Sequence, residues 1–182
     1  MGQTWSSFYS YWFPNQEYKL VLVGLDNAGK STTLYRLHLG QAVVTHPTVG
    51  SNVEQITFRN LQFEVWDLGG QANLRPSWQT YYKAAHAVIM VVDSTDRARV
   101  GIAKNELFSL LGHEHLSGAA LLVLANKQDL KDAMRPAELS ECLGLHTIKT
   151  HSYHIQSSCA TTGEGLQEGL AWVAQKVHGQ TK

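Results

Sequence analysis

The sequence predicts an α/β fold organised around a phosphate-binding loop, and three observations predict it. Apolar runs that read as short buried strands recur at residues 20–23, 87–92 and 119–125. Helix-like patterns lie between such runs, the first of them carrying Leu34, Leu37 and Leu39 among polar neighbours. Between the first strand and that helix stands Gly-Leu-Asp-Asn-Ala-Gly-Lys-Ser at 24–31, the strand–Gly-rich turn–Gly-Lys-Ser–helix order of a phosphate loop.

The loop carries its own chemistry. Successive backbone N–H groups point into one concavity, and the helix N-terminus adds positive potential. Gly24 and Gly29 permit the tight backbone and its close approach to phosphate. Lys30 reaches the β- and γ-phosphates, and the Ser31 hydroxyl ligates Mg²⁺. Asp26, Asn27, Ala28 and Thr32 complete the stretch expected to line the nucleotide.

Composition bounds the rest. A chain of 182 residues is expected to form one domain with a real core. Its 43% hydrophobic and 16% charged content argues against disorder. Fifteen Lys plus Arg balance fifteen Asp plus Glu, which removes the electrostatic argument for a nucleic-acid partner. Cys142 and Cys159 make no disulfide framework and fit a reducing intracellular compartment. No apolar run reaches the length of a membrane span, and the N-terminus lacks the pattern of a secretory signal.

Residues 1–17 read as a separate unit ahead of the domain at 18–182. Gly2 and Ser6 complete a Met-Gly-x-x-x-Ser myristoylation pattern. Trp5, Phe8, Tyr9, Trp12 and Phe13 fall on one face of a helix, which Pro14 ends. One reading packs this face permanently on the core. The other gives it to a membrane surface. A myristoyl chain alone binds membranes at roughly 10⁴ M⁻¹, and partial burial of five rings at ~25 cal/mol/Å² adds several kcal/mol. No Lys or Arg precedes Lys19, so that contact is expected to depend little on anionic lipid.

Beyond the first helix, Pro47-Thr48-Val49-Gly50 gains a role from the loop behind it: the Thr48 hydroxyl is a candidate second Mg²⁺ ligand when a γ-phosphate is present. Residues 53–59 and 61–67 alternate as two strands around Asn60, an antiparallel hairpin. The second ends in Asp67-Leu68-Gly69-Gly70-Gln71. Asp67 is placed to hold Mg²⁺ through water, Gly70 to offer its N–H to a γ-phosphate, and Gln71 to orient an attacking water as the catalytic residue. Trp78, Tyr81 and Tyr82 are assigned to a helix, residues 105–112 to another, 139–145 to a short one after Pro136, and 151–157 to the last strand. Leu166, Leu170, Val173 and Val177 form the apolar face of a final helix. His113 and His115 read as a solvated loop, and no histidine spacing suggests a metal site.

Two later stretches address the base. In Asn126-Lys127-Gln128-Asp129, a buried carboxylate at Asp129 accepts from guanine N1–H and N2–H₂, a donor pair that adenine lacks. Asn126 and the stem of Lys127 brace that loop. In Ser158-Cys159-Ala160, the Ala160 N–H is directed at guanine O6 with Cys159 beside it, and nothing nearby argues that Cys159 is a reactive thiol.

Taken in order, these motifs resemble an ADP-ribosylation-factor-like small GTPase over nearly the whole chain. The stretches 50–54, 80–82 and 154–156 further resemble the Arf-like subtype-five group of the trans-Golgi. The resemblance implies a P-loop G domain: a six-stranded, mostly parallel sheet with one antiparallel edge strand, flanked by helices, plus the N-terminal amphipathic helix. It implies a GTPase that binds GTP or GDP with Mg²⁺ and recruits effectors to membranes in vesicle and Golgi trafficking. It implies an exchange factor, a GTPase-activating protein and a monomeric, cytoplasmic, reversibly membrane-associated state. In such a switch the hairpin slides and expels the N-terminal helix; an even-numbered slip keeps each side chain on its own face. The family's effector surface maps to Ser51, Trp66 and Tyr81, with Ser51 where relatives commonly carry Phe. Asn27 and Ser31 also depart from the usual residues. No motif marks an arginine finger in cis; one supplied in trans is worth up to about 10⁵-fold. Three rivals stay open: a P-loop kinase or ATPase, which Asp129 opposes, a nucleotide-locked scaffold, which Gln71 opposes, and a permanently soluble G domain whose aromatic helix never leaves the core.

Overall fold

The computed structural model describes residues 17–41, 44–59 and 61–179. Gly2, the aromatic face at 5–13 and Asn60 lie outside the described residues.

Six strands form one sheet: β1 (Glu17–Val23), β2 (Ser51–Phe58), β3 (Leu61–Leu68), β4 (Ala87–Asp93), β5 (Ala120–Asn126) and β6 (Tyr153–Ser157). Their spatial order is β2-β3-β1-β4-β5-β6. Every pairing is parallel except β2 with β3, so the sheet has the expected single antiparallel edge strand. Four α-helices are described: α1 (Lys30–Leu39), α2 (Val100–Leu111), α3 (Pro136–Leu143) and α4 (Leu166–Gly179).

The strands are apolar because the sheet is covered on both faces. One face packs Val21, Val23, Met90, Leu107, Leu121 and Leu139 into a common core. The other packs Leu20, Leu22, Ile89, Leu122, Leu170 and Val173. In β3 the alternation is plain, with Leu61, Phe63 and Val65 buried and Gln62, Glu64 and Trp66 half-buried. All four apolar residues assigned to the last helix are buried in α4.

Several boundaries differ from the sequence reading. The segment carrying Trp78 and Tyr81 is a 3₁₀ helix, Arg75–Tyr81, with Pro76 in its first turn. The helix expected from 105 starts at Val100, since the β-branched and Gly residues at 100–102 weaken the local helical signal. The helix expected at 139–145 begins on Pro136, a residue suited to a first helical turn, and stops at Leu143 before left-handed Gly144. The last strand starts two residues late, at Tyr153. His151 stands before it with its ring bonded to the Leu116 carbonyl (2.9 Å). His113 is not simply solvated: its ring packs edge-on against Tyr82, 5.2 Å between centroids.

The consequence for function is an alignment of ends. In a parallel sheet the carboxyl ends of neighbouring strands open on one edge, where ligands bind. Val23 of β1, Leu68 of β3, Asp93 of β4, Asn126 of β5 and Ser157 of β6 all finish there, and each is followed by a loop with polar groups.

Candidate functional site

A cavity of about 330 Å³ opens on this edge, lined by Asp26, Asn27, Gly29–Thr32, Thr45–Thr48, Gly70 and Gln71. Three separate loops converge on it, and nine residues assigned to nucleotide, metal or catalysis share its wall: Asp26, Asn27, Gly29, Lys30, Ser31, Thr32, Thr48, Gly70 and Gln71. Gln71 stands at its exposed rim.

The two phosphate-loop glycines are needed for a reason other than room for phosphate. A Cβ on Gly24 would lie 2.2 Å from the Val91 carbonyl, and one on Gly29 would lie 2.4 Å from the Asn126 amide; both backbones are left-handed. Glycine lets the loop press against β4 and the Asn126 side chain. Asn27 is also left-handed (φ 60°), a conformation Asn tolerates better than most residues.

At the head of α1 the charged and hydroxyl groups meet. Ser31 Oγ donates to Asp67 Oδ2 at 2.5 Å and lies 2.9 Å from Thr48 Oγ1, which is 3.2 Å from the same carboxylate oxygen. Asp67 is fully buried and its Oδ1 has no hydrogen-bond partner. Burial pushes its pKa up, against the pull of Ser31, Lys30 and Thr48. Lys30 is buried too; its Nζ donates to the Leu25 carbonyl at 3.0 Å. Burial lowers its pKa, partly offset by Asp67 and Asp26.

This donor set fits Mg²⁺. Two hydroxyls and a carboxylate are hard oxygen ligands, and a buried carboxylate oxygen without a partner is a group that a cation satisfies. Ser31 and Thr48 would hold the ion, with Asp67 behind them. When bound, Mg²⁺ supplies neutralising charge for β- and γ-phosphate oxygens.

Asp26 lines the cavity with its side chain turned to two arginines. Its carboxylate is paired with Arg99 (2.8 Å) and approached by Arg75 (4.0 Å). Its backbone N–H donates to the Gly70 carbonyl at 3.1 Å. The pairing keeps a negative charge in the loop from opposing phosphate.

The base end is braced through Asn126. Its Nδ2 donates to the Ala28 carbonyl (2.8 Å) and its Oδ1 accepts from the Ala160 N–H (2.9 Å), tying the phosphate loop, the 126–129 loop and the 158–160 loop together. The Ala160 N–H, expected to face guanine O6, donates to Asn126, which satisfies a buried donor. Lys127 takes a left-handed backbone (φ 65°) and its Nζ pairs with Asp93 at 2.7 Å. Burial alone would raise the Asp93 pKa, but Lys127 and Thr95 outweigh it and the carboxyl titrates below its ordinary value. Asp129 is exposed rather than buried, because its loop leaves the sheet edge; its Oδ1 accepts from the Cys159 thiol at 3.3 Å. Cys159 is buried and also lies 3.1 Å from Thr161 Oγ1.

Trp66 and Tyr81 meet at 5.4 Å between ring centroids. Ser51 pairs with Leu68, and Val53 with Trp66, so Ser51 shares the Trp66 face of the hairpin two residues along. Reasoning from sequence missed Arg75, Arg99, Asp93, Thr45 and His46. None of these residues has a fixed spacing to a motif, and only the fold brings them to the loop.

Residues 5–177 match the ADP-ribosylation factor family. The chain is 55% identical to ADP-ribosylation factor-like protein 5 of Dictyostelium discoideum, over 98% of this chain and 99% of the relative. It is 52% identical to ADP-ribosylation factor-like protein 5A of Homo sapiens, covering 91% and 92%. The solved structure of the Arl6 (BBS3) small GTPase from Trypanosoma brucei, with bound nucleotide analogue GppNp, superposes with a TM-score of 0.85 at 36% identity, covering 91% of this chain and 99% of that one.

Proposed function

This chain belongs to the ADP-ribosylation factor family, a GTPase that binds GTP or GDP with Mg²⁺, and from that premise we propose that it is a membrane-recruitment switch of Golgi and vesicle trafficking. The carrying observation is the meeting of Ser31, Thr48 and Asp67 at one end of the cavity, with Gly70 and Gln71 on the same wall. These groups come from three segments, the head of α1, the loop at Thr48 and the end of β3 with its following turn, and a third phosphate with its metal is the ligand that would engage all three.

In this reading the backbone of 26–31 and Lys30 hold the phosphates, Ser31 and Thr48 take Mg²⁺, and Gln71 orients the attacking water. Charge developing on the transferred phosphoryl group is met by Lys30 and the loop N–H groups. Asp129 and the 158–160 loop select guanine. An exchange factor, an activating protein and effectors act on the hairpin face around Ser51, Trp66 and Tyr81. Gly2, acylated, and the aromatic face at 5–13 supply membrane affinity in the GTP form. The Arf-like subtype-five resemblance supports the trans-Golgi as the membrane.

The test is co-sedimentation of the myristoylated full chain with phosphatidylcholine vesicles. It is loaded with GDP or with a non-hydrolysable GTP analogue and Mg²⁺. Binding is expected in the GTP-analogue form alone. Equal binding in both forms, or none in either, overturns the nucleotide-gated membrane switch.

A further inference from the structure

Arg75 has a place in this fold that the motifs do not predict. It opens the 3₁₀ helix after Gln71, and its side chain is 11% exposed. Its guanidinium serves three separate segments. Nε donates to the Gly70 carbonyl at 3.0 Å. Nη1 pairs with Glu106 of α2 at 3.2 Å. Nη2 lies 4.0 Å from Asp26 of the phosphate loop.

The Gly70 carbonyl is the centre of this arrangement, because it also accepts the Asp26 N–H at 3.1 Å. The turn is held from its other sides as well: Gly69 N–H donates to the Gly50 carbonyl (3.0 Å), and Trp78 Nε1 donates to the Gly69 carbonyl (2.9 Å). A Cβ on Gly70 would meet Asp26 N, Gly24 O and Leu25 C, each at 2.5 Å, so turn and phosphate loop are in direct backbone contact.

We propose that Arg75 is a positioning residue that locks the Gly69–Gly70 turn to the phosphate loop and to Glu106 of α2, so that the grip on a third phosphate, but not on GDP, depends on this clamp. The physical ground is the planar fork of the guanidinium. It reaches a carbonyl and two carboxylates at once, which an ammonium on a flexible stem does not. The peptide orientation at 70 is thereby set from α2, a helix that touches no phosphate. A groove of about 330 Å³ beside the clamp, lined by Arg75, Trp78, Tyr82, Glu106 and His113, leaves the Arg75–Glu106 pair within reach of whatever docks there.

The proposal rests on the reading that Gly70 faces the third phosphate, and the experiment separates the two. Release of fluorescent GDP and of a fluorescent non-hydrolysable GTP analogue is followed by stopped flow in excess Mg²⁺. Arg75→Ala is expected to speed release of the GTP analogue roughly tenfold, the worth of one charge-assisted hydrogen bond, and to leave GDP release nearly unchanged. Arg75→Lys should not restore the wild-type ratio. Glu106→Gln should shift the ratio in the same direction by a smaller factor, and it carries the test if Arg75→Ala does not fold. Gly70→Ala reports on the underlying reading: loss of the GTP analogue with GDP release unchanged supports it, whereas loss of both nucleotides is the steric effect of the new Cβ on the phosphate loop. Equal acceleration of both nucleotides, or an unchanged ratio in the Arg75 and Glu106 variants while Gly70→Ala loses it, overturns the clamp alone. An unchanged ratio in all of them, with both nucleotides still held by Gly70→Ala, overturns both the clamp and the placing of Gly70.

Discussion

The phosphate end and the base end of the site are built on opposite plans. At the phosphate end the charges are buried and, among the described residues, incompletely satisfied: Asp67 is fully enclosed with Oδ1 unpartnered, and Lys30 has a single carbonyl as hydrogen-bond acceptor. At the base end Asn126, Ala160 and Lys127 are paired within the protein, and the carboxylate that would read the base, Asp129, is exposed. Among the described residues, the Ser158 hydroxyl is the one buried side-chain oxygen or nitrogen there without a partner. Groups that are poorly satisfied in the protein gain most from a ligand. The phosphate end is therefore expected to supply affinity, and the braced base end discrimination.

That contrast is open to attack at three points. The largest effect is expected at Lys30. Lys30→Ala removes a desolvated cation from the phosphates and should weaken GDP and GTP alike by roughly 10²-fold or more, about 3 kcal/mol. Equilibrium competition against a fluorescent guanine nucleotide measures it, and a loss under tenfold would erase the division of labour.

Asp129→Asn comes next. An amide offers one donor and one acceptor where the carboxylate offers two acceptors, so guanine N1–H and N2–H₂ are no longer both met. Guanine nucleotides should weaken by about 1–3 kcal/mol, while xanthine nucleotides, with a carbonyl at C2, should gain. If both weaken together, Asp129 contributes to affinity rather than to choice.

The smallest effect concerns stability. The Asp67 pKa is raised in the folded state, so the folded protein holds its proton more tightly than the unfolded chain does. Stability tied to this group is present at low pH and is lost as pH rises from the ordinary carboxylate value towards the raised one. Asp67→Asn removes the loss. In EDTA, urea unfolding of the variant should gain on wild type as pH rises through that window. Excess Mg²⁺ should restore wild type and not the variant. A difference that is flat with pH would mean that burial of this charge costs little.

How much of this was legible beforehand follows from the range of each interaction. The strand–loop–helix order at 17–39, the hairpin at 51–68 and the α4 face are local patterns, set by alternation, helical spacing and turn residues a few positions apart. The two helix starts differ from the sequence reading for separate reasons: at Val100 the fold overrides a weak local signal at 100–102, whereas Pro136 itself suits a first helical turn. The motifs pointed to the phosphate loop, Thr48, Asp67 and Asn126 because that chemistry demands particular residue types at short spacing. They were silent on who touches whom.

Sequence alone determined that a phosphate loop, a strand-ending carboxylate and a guanine-type loop occur in one chain, and in an order that names the family. The tertiary structure alone decided that Asp67 is buried with a free oxygen, that Asp129 is exposed, that Ala160 serves Asn126, and that Arg75 and Arg99 converge on Asp26. The reason is physical. Residue type and spacing specify which bonds a group can make, whereas burial, pKa and the choice among acceptors depend on segments far apart in the chain that meet only when the sheet aligns its carboxyl ends.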